Sequence, residues 1–318
     1  MQDRRGAHSM KLADALARYP FLLAEGSVVE RLRRMPGIAL DPLLEHAALF
    51  YEPRGARELE AIYRGYLDVA RASGLPMLCF TPTWRASADR LARAGFERRD
   101  VNGDAVRFLS RIRAASGAAA GRILIGGLAG CAGDAYRPGQ ALDEESARRY
   151  HQPQAEALAA AGVDFLAAAT LPAASEAAGL AAAMSRTGLP YLVSFIVDRA
   201  GNLLAGTPLA RAIDSIDQRI SPAPFGYMLN CVHPSVCEAA LSRLPPPFLN
   251  RVIGFQANTS ARAPSELDGL AVLETEEPTK LSDEMHQIRR KFGLRILGGC
   301  CGTDHLHIQA LARGFPQP

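Results

Sequence analysis

The sequence carries two adjacent cysteines near its end, Cys300 and Cys301, within the segment GGCCGT at 298–303. Neighbouring thiols form only a strained ring if they bond to each other, so the pair makes a poor structural crosslink. Both sulfurs can instead face one soft cation across a turn that the flanking glycines permit. The pair therefore predicts part of a metal site, which needs at least one more sulfur ligand.

The composition is that of an ordinary globular protein, with 48% hydrophobic and 22% charged residues among 318. A formal net charge of +3 is too small to predict binding to nucleic acid or to an anionic membrane. The N-terminal residues lack the apolar core of a signal peptide, and no run approaches the roughly 20 apolar residues of a membrane span. Six irregularly spaced cysteines then predict a protein of the reducing cytoplasm, in which some of the cysteines belong to a metal or catalytic site.

Short apolar runs typical of β-strands alternate about eight times with longer stretches that include several amphipathic helices. Near-continuous apolar strands joined by helices indicate parallel strands buried on both faces. Eight such units fit a closed (β/α)8 barrel, or TIM barrel, better than the alternative of an open doubly wound sheet. The predicted strands are 21–24, 76–80, 122–125, 163–168, 191–196, 226–229, 252–255 and 294–297, and the clearest helices are 56–72, 144–161, 172–186, 234–244 and 281–292.

We expect a single α/β domain, because no Ser/Gly linker or low-complexity block interrupts the series. Residues 19–318 are predicted to form the barrel, and residues 1–18 an N-terminal tail or lead-in helix. No nucleotide-binding loop is expected, because neither GxGxxG nor GxxxxGK[ST] follows any predicted strand.

Functional side chains of a (β/α)8 barrel collect at the C-terminal ends of its strands. Cys231 ends the sixth predicted strand and Cys300 and Cys301 end the eighth, so the three thiols should lie at the same end of the barrel. Three thiolates with a fourth position open are typical of a catalytic Zn²⁺ site, where a bound substrate thiol becomes a nucleophilic thiolate. The alternative is that the cysteines are small buried apolar residues.

The segments around these cysteines resemble a known family. GGCCGT at 298–303, together with NCVHP at 230–234, is similar to the zinc-dependent homocysteine S-methyltransferases. These include betaine–homocysteine and S-methylmethionine–homocysteine methyltransferases and the homocysteine-binding module of cobalamin-dependent methionine synthase. Weaker likeness extends over most of the chain, in FLLAEG at 21–26, TPTWRAS at 81–87, GVDFLAAATLP at 162–172 and SFIVDRAGNLLAGTPL at 194–209. The family fold is a (β/α)8 barrel.

The resemblance implies that Cys231, Cys300 and Cys301 hold Zn²⁺ and that the substrate thiol, in this family homocysteine, becomes the fourth ligand. It also implies SN2 transfer of a methyl group from an onium-type or similar donor to that sulfur, as in methionine biosynthesis. The expected partners are a small-molecule thiol and a methyl donor, without nucleic acid or membrane. S-methylmethionine, S-adenosylmethionine, betaine and a folate or corrinoid partner remain open as donors, and so does the oligomeric state.

Two positions depart from the family pattern. Glu25-Gly26-Ser27 stands where the family usually has Asp-Gly-Gly, and Ala169 stands where it usually has a Glu that helps to hold the amino group of homocysteine. A hydrogen bond to a charged group contributes roughly 1.5–3 kcal/mol. The longer side chain of Glu25 can compensate for this loss. Otherwise the acceptor is a different thiol or selenol, or the protein binds zinc or a thiol without catalysis.

The expected substrate contacts are residues at strand ends near the cysteines. Trp84, the only tryptophan, can place its ring against a cationic donor or simply pack a loop onto the barrel rim. Asn230 can orient its neighbouring ligand or touch the substrate, against the alternative of a plain turn residue. The full predicted set is Glu25, Gly26, Trp84, Thr170, Asn230, Asn258 and Gly299. His233, His305 and His307 are interpreted as cap or surface residues, and Cys79, Cys131 and Cys237 as non-ligands.

Overall fold

The computed structural model describes residues 10–262 and 275–314, in which eight parallel strands form one closed barrel. Each strand pairs with the next along the chain, and the eighth pairs with the first. The predicted (β/α)8 barrel is confirmed, and the alternative of an open sheet is wrong. The strands are β1 Leu22–Ala24, β2 Met77–Phe80, β3 Ile123–Gly130, β4 Phe165–Leu171, β5 Tyr191–Phe195, β6 Gly226–Val232, β7 Val252–Ala257 and β8 Ile296–Gly299.

Twelve α-helices are present in the same parts of the chain, most of them on the outside of the barrel. None of these helices is both long enough and apolar enough to cross a membrane. They are α1 Leu12–Arg18, α2 Val29–Arg33, α3 Pro53–Ser73, α4 Ala88–Arg93, α5 Val101–Ala114, α6 Glu144–Ala160, α7 Ala174–Ser185, α8 Leu209–Arg219, α9 Pro234–Leu241, α10 Pro246–Leu249, α11 Pro278–Phe292 and α12 His305–Arg313. Short 3₁₀ helices occur at Leu49–Tyr51, Gly117–Arg122 and Pro138–Gln140.

All eight predicted strands and all five predicted helices are present, with shifts of a few residues at their ends. The strands β3, β4 and β6 are longer than predicted, because backbone pairing continues through small residues that look like turns in the sequence. Gly127 pairs with Leu166 and Ala129 pairs with Ala168, for example. Helices α5 and α8 were not among the predicted helices, although both bury an apolar face.

Helix α1 closes the N-terminal end of the barrel. Leu12 and Ala15 on this helix are buried together with interior side chains such as Leu78 and Phe165. The Arg295 side chain, which directly precedes β8, donates to backbone carbonyls at the end of this helix. Residues 10–18 therefore include a lead-in helix, whereas residues 1–9 lie outside the described part of the chain.

Helix α3 fixes the ends of two strands that border the functional end of the barrel. Its buried face carries Tyr63 and Tyr66. The Tyr63 hydroxyl donates to the carbonyl of Phe80 at 2.7 Å, and the Tyr66 hydroxyl donates to the carbonyl of Ser27 at 2.7 Å. A buried carbonyl without a donor would be destabilising, so these two phenols hold the segments that follow β1 and β2 in one position.

Candidate active site

Three cysteine side chains meet at the C-terminal end of the barrel. The Sγ atoms of Cys231, Cys300 and Cys301, here called the cysteine cluster, all lie within 4.8 Å of one another. The Sγ atoms of Cys231 and Cys301 are 3.6 Å apart. Sulfur donors at this spacing suit a soft or borderline cation, so the cluster can hold a metal ion.

Cys231 reaches the cluster from a bulge in β6. Between Asn230 and Val232 this strand has one residue more than β7, and that extra residue, Cys231, adopts a left-handed backbone conformation with φ of 57°. A second bulge interrupts β4 between Ala168 and Leu171, where Thr170 has φ of 62°. Left-handed backbone is uncommon outside glycine, especially for a β-branched residue, and such strain gathers at functional sites.

The Asn230 side chain joins the two bulges. Its Oδ1 accepts hydrogen bonds from the Thr170 backbone N–H at 3.0 Å and from the Ser194 hydroxyl at 2.7 Å. Its Nδ2 donates to the Thr170 hydroxyl oxygen at 2.8 Å. These three bonds, here called the Asn230 clamp, connect the ends of β4, β5 and β6 and can fix the position of Cys231.

The glycines of the GGCCGT segment are required by close packing. A Cβ atom on Gly299 would lie 2.1 Å from the Thr303 hydroxyl oxygen, and one on Gly298 would lie 2.6 Å from the Cβ of Ala24. Gly302 has φ of 84°, which turns the chain immediately after the cysteines. The Thr303 hydroxyl donates to the carbonyl of Cys300 at 2.7 Å. The vicinal cysteines are thus held in a tight turn.

The cysteine thiols differ in acidity because they hydrogen-bond to one another. Bonds from Cys300 and Cys301 lower the pKa of the Cys231 thiol well below its ordinary value. The same bonds to Cys231 raise the pKa of Cys300 and of Cys301. A free cluster therefore favours one thiolate beside two thiols, and a cation that binds all three sulfurs would displace the remaining protons.

Tyr136, which the sequence analysis missed, contacts the cluster. Its hydroxyl lies 3.1 Å from the Sγ of Cys231. Burial raises the pKa of this hydroxyl well above its ordinary value, and the neighbouring cysteines raise it further, so the phenol remains protonated. Tyr136 is on the loop between β3 and α6, where no periodic pattern in the sequence indicates which side chain points inward.

A cavity of about 330 Å³ opens beside the cysteine cluster. Of the seven predicted substrate contacts, six line it: Glu25, Gly26, Trp84, Thr170, Asn230 and Gly299. Asn258 does not, since its side-chain oxygen accepts from the Ser260 backbone N–H at 3.0 Å within a local turn. Gln256, two residues earlier on β7, lines the cavity instead and donates to the carbonyls of Glu25 and Gly299.

Glu25 is a buried carboxyl group at the base of the cavity, with 6% of its surface exposed. One carboxylate oxygen accepts from the Phe80 backbone N–H at 2.8 Å. Burial nevertheless raises the pKa of Glu25 well above its ordinary value, because desolvation disfavours the charged form. Ala169, in the position of the family's usual Glu, also lines the cavity and offers only a methyl group.

One face of the Trp84 ring is covered by another side chain of the protein. The Arg85 guanidinium lies over it, 4.2 Å from the ring centroid, and Gly130 lies so close to the indole that a Cβ there would be 2.3 Å from Nε1. A cationic donor cannot use the face that Arg85 already covers. The indole N–H is buried and has no hydrogen-bond partner in the described part of the protein.

His46 is a second cavity residue that sequence reasoning missed. It is 2% exposed, and its Nδ1 has no partner within residues 10–262 and 275–314. Desolvation and then the nearby charge of Arg33 lower the pKa of His46 to about 4. Arg33 itself is paired with Glu30 and, at 3.0 Å, with Glu45 at the mouth of the cavity.

The other three cysteines, and the histidines His233, His305 and His307, lie outside the cavity lining. Cys79 and Cys237 are fully buried, and burial raises the pKa of both thiols. Cys131 is also buried and lies just after β3. His233 caps α9, and His307 forms a capping box with Asp304 at the start of α12, where His305 is the first residue.

With this geometry established, comparison with known proteins identifies the family. The sequence pattern of the homocysteine S-methyltransferase family matches residues 22–315. This chain belongs to that family. Membership makes the protein an S-methyltransferase, in agreement with the resemblance carried by the cysteine motifs.

Individual relatives agree with this assignment. Homocysteine S-methyltransferase of Escherichia coli (strain K12) is 26% identical over 317 residues, covering 93% of this chain and 96% of that protein. Homocysteine S-methyltransferase YbgG of Bacillus subtilis (strain 168) is 25% identical over 181 residues, or 57% of this chain and 56% of that protein. The metallated form of the homocysteine methyltransferase MmuM from Escherichia coli superposes with a TM-score of 0.75 at 23% identity, covering 94% of this chain and 98% of that one. This last likeness establishes the shared fold.

Replacing residues of the Asn230 clamp should destabilise the protein in graded steps. Ser194→Ala removes one donor and should lower the free energy of unfolding by about 1 kcal/mol. Asn230→Ala leaves the Thr170 N–H and the Ser194 hydroxyl without their acceptor and should lower it by about 3 kcal/mol. Urea unfolding followed by circular dichroism measures both. Equal losses in the two variants would contradict the clamp.

His46 should make the protein less stable in mild acid. Because its pKa is lowered to about 4 in the folded protein, the unfolded chain takes up a proton between pH 6.5 and 4 that the folded protein does not. Between pH 7.5 and pH 5 this group should remove about 2 kcal/mol of stability. His46→Gln should lack this component, so the stability difference between wild type and variant should change with pH by that amount. A difference that is constant across this range would refute the assignment.

Proposed function

We propose that this enzyme transfers a methyl group to the thiol of homocysteine, at a zinc ion held by Cys231, Cys300 and Cys301. The observation that carries the proposal is the convergence of three thiols on one point beside a cavity. The names of the relatives support homocysteine as the acceptor. The reaction would produce methionine, which is consistent with a role in methionine biosynthesis.

The donor set fits zinc. A tetrahedral Zn²⁺ with Zn–S bonds of about 2.3 Å places its sulfur ligands about 3.8 Å apart. The Cys231 and Cys301 sulfurs are 3.6 Å apart, so little movement would be needed. Three protein ligands leave one position for a substrate atom, as in catalytic zinc sites.

The methyl transfer would proceed by SN2 displacement. When bound, zinc would supply a thiolate nucleophile near neutral pH by stabilising the deprotonated form of the substrate thiol. The sulfur forms a bond to the methyl carbon while the bond between that carbon and the donor breaks, and the electron pair leaves with the donor. Residues that line the cavity would hold the two substrates in line and exclude water from the reacting atoms.

Glu25 is the proposed anchor for the amino group of the acceptor. The family's usual carboxylate at strand four is absent, and Ala169 offers no charge. An ammonium group beside Glu25 would provide the countercharge that the buried carboxylate lacks, and would favour its ionised form. Gly26, Thr170, Asn230 and Gly299 would shape the pocket around the acceptor. The Trp84 ring would form part of the pocket wall.

The absence of the strand-four Glu also favours one alternative, a thiol or selenol acceptor without an amino group. Titration calorimetry of the zinc-loaded protein with homocysteine and with thiols of similar length would distinguish the two acceptors. The donor is tested by assays with S-methylmethionine, S-adenosylmethionine and betaine. No turnover with any of them would instead favour a non-catalytic zinc- or thiol-binding protein.

The chemistry of the proposed metal site bears on where the protein functions. A site made of three thiols requires a reducing compartment, so we place the protein in the cytoplasm as part of this proposal.

Residues 19–318 are proposed to form the catalytic barrel, with the N-terminal 18 residues contributing the lead-in helix.

Cys300→Ala should abolish both metal binding and methyl transfer, because two remaining sulfurs cannot form the proposed site. Zinc content is measured by elemental analysis after gel filtration, and transfer is measured as the formation of methionine. Cys237→Ala is the matched control, since this cysteine is buried away from the cavity and should retain zinc. Full zinc stoichiometry in Cys300→Ala would refute the proposed metal site.

Glu25→Gln should raise KM for homocysteine roughly 10-fold or more, since a charged hydrogen bond is lost. KM for 4-mercaptobutanoate, which has the same thiol and carboxylate but no amino group, should change little. Glu97→Gln is an exposed control and should leave both values unchanged. An equal increase for the two thiols would show that Glu25 supports the backbone at Phe80 rather than the substrate.

A further inference from the structure

The loop that carries Tyr136 is held by charged side chains from neighbouring elements. This segment, residues 131–142 and here called the Tyr136 loop, joins β3 to the start of α6. It has little regular structure, and its contacts with the rest of the protein therefore decide where Tyr136 lies. The hydroxyl of Tyr136 is the point at which this loop meets the cysteine cluster, 3.1 Å from the Sγ of Cys231.

Glu176, the third residue of α7, binds the backbone of this loop at two places. It is fully buried. Its Oε1 accepts from the Ala132 N–H at 2.6 Å, and its Oε2 accepts from the Leu142 N–H at 3.4 Å. The carboxylate thus spans the beginning and the end of the Tyr136 loop.

His151 on α6 completes the arrangement. Its Nε2 lies 3.0 Å from the Oε1 of Glu176, and both side chains have no exposed surface. The Nδ1 of His151 has no hydrogen-bond partner in the described residues, so its interaction with Glu176 is the polar contact that accounts for this buried ring. Facing a carboxylate oxygen, Nε2 carries a hydrogen and donates it.

Two arginines hold the same segment from the other side. Arg85 donates to the carbonyls of Cys131 and Gly133 at 2.7 and 2.5 Å. Arg90 donates to the carbonyl of Ala132 at 2.9 Å. The peptide groups around Ala132 are therefore fixed through both their N–H and their C=O groups.

We infer that Glu176, oriented by His151, is a positioning residue that holds the Tyr136 loop so that the Tyr136 hydroxyl stays on the sulfur of Cys231. The inference rests on the proposed metal site, because it concerns how one sulfur of that site is presented. A hydrogen bond from a phenol to a ligand sulfur fixes the position of that sulfur, so its loss leaves the ligand less well placed for a metal ion. Second-shell bonds of this kind usually matter for metal affinity and activity.

A carboxylate is required at this position by the chemistry of its neighbours. Ala132 N–H, Leu142 N–H and His151 Nε2–H are all donors, and a carboxylate can accept from all three. Glutamine has nearly the same shape but presents one NH₂ group, which must face at least one of these donors. Glu176→Gln therefore releases part of the loop without creating a cavity.

The test is a double-mutant cycle between Glu176→Gln and Tyr136→Phe in protein loaded with Co²⁺. Cobalt dissociation constants and the thiolate-to-cobalt absorption band are measured for wild type, both single variants and the double variant. Each single variant should weaken cobalt binding roughly 10-fold and shift the band in the same direction. The double variant should bind cobalt roughly 10-fold more weakly than wild type and no worse than either single variant, because the two changes remove the same interaction.

Two further variants serve as a control and as a replacement in the double-mutant cycle. Glu156→Gln, an exposed residue on the same helix as His151, is the matched control and should not change cobalt binding. Glu176→Asp retains the charge but is too short to reach both ends of the loop, and it replaces Glu176→Gln in the cycle if that variant does not fold. It should give a smaller effect that is also absent in the Tyr136→Phe background.

The outcomes separate this inference from the proposed function. Additive losses, roughly 100-fold in the double variant, would mean that Glu176 acts independently of Tyr136 and would overturn the inference alone. Cobalt binding that Glu176→Gln leaves unchanged would also overturn the inference alone. Wild-type protein that binds no cobalt would contradict the metal site and the inference together.

Discussion

The functional end of this barrel depends on one backbone constraint, the left-handed conformation of Cys231 in the bulge of β6. In a regular strand successive side chains point to opposite faces, so Asn230 and Cys231 could not both face the end of the barrel. The extra residue removes this restriction. The Asn230 side chain then reaches β4 and β5 across the strand ends, while the Cys231 thiol reaches the turn after β8. Strain at Cys231 and Thr170 is offset by the hydrogen bonds of the clamp.

The cysteine cluster and the cavity beside it differ in the charge states that they favour. Within the cluster, hydrogen bonding lowers the pKa of Cys231 and raises the pKa of Cys300 and Cys301. The cavity beside it buries Glu25 and His46, and desolvation shifts the pKa of each in the direction that favours the neutral form. Buried groups of this kind are unfavourable in the empty protein and are relieved by a ligand of the complementary charge or hydrogen-bonding type. The cavity is therefore suited to a polar ligand rather than an apolar one.

The sequence predicted the parts of this protein that follow from local pattern. Eight apolar runs were sufficient to predict the barrel. The positions of the cysteines at strand ends were sufficient to predict that Cys231 lies near Cys300 and Cys301. Residues whose position depends on long loops were missed, because loops have no period to show which side chain points inward. Tyr136 and His46 come from such loops. Asn258 was predicted as a cavity residue because it follows the seventh strand. The residue of this region that lines the cavity is instead Gln256, which lies within β7.

The central claim is that three protein sulfurs and one substrate sulfur surround a zinc ion, and X-ray absorption at the zinc edge tests it most directly. Zinc-loaded protein should show three sulfur neighbours at about 2.3 Å together with one lighter atom. Addition of homocysteine should replace the lighter atom with a fourth sulfur at a similar distance. A spectrum with fewer than three sulfur neighbours, or one that homocysteine leaves unchanged, would contradict the account.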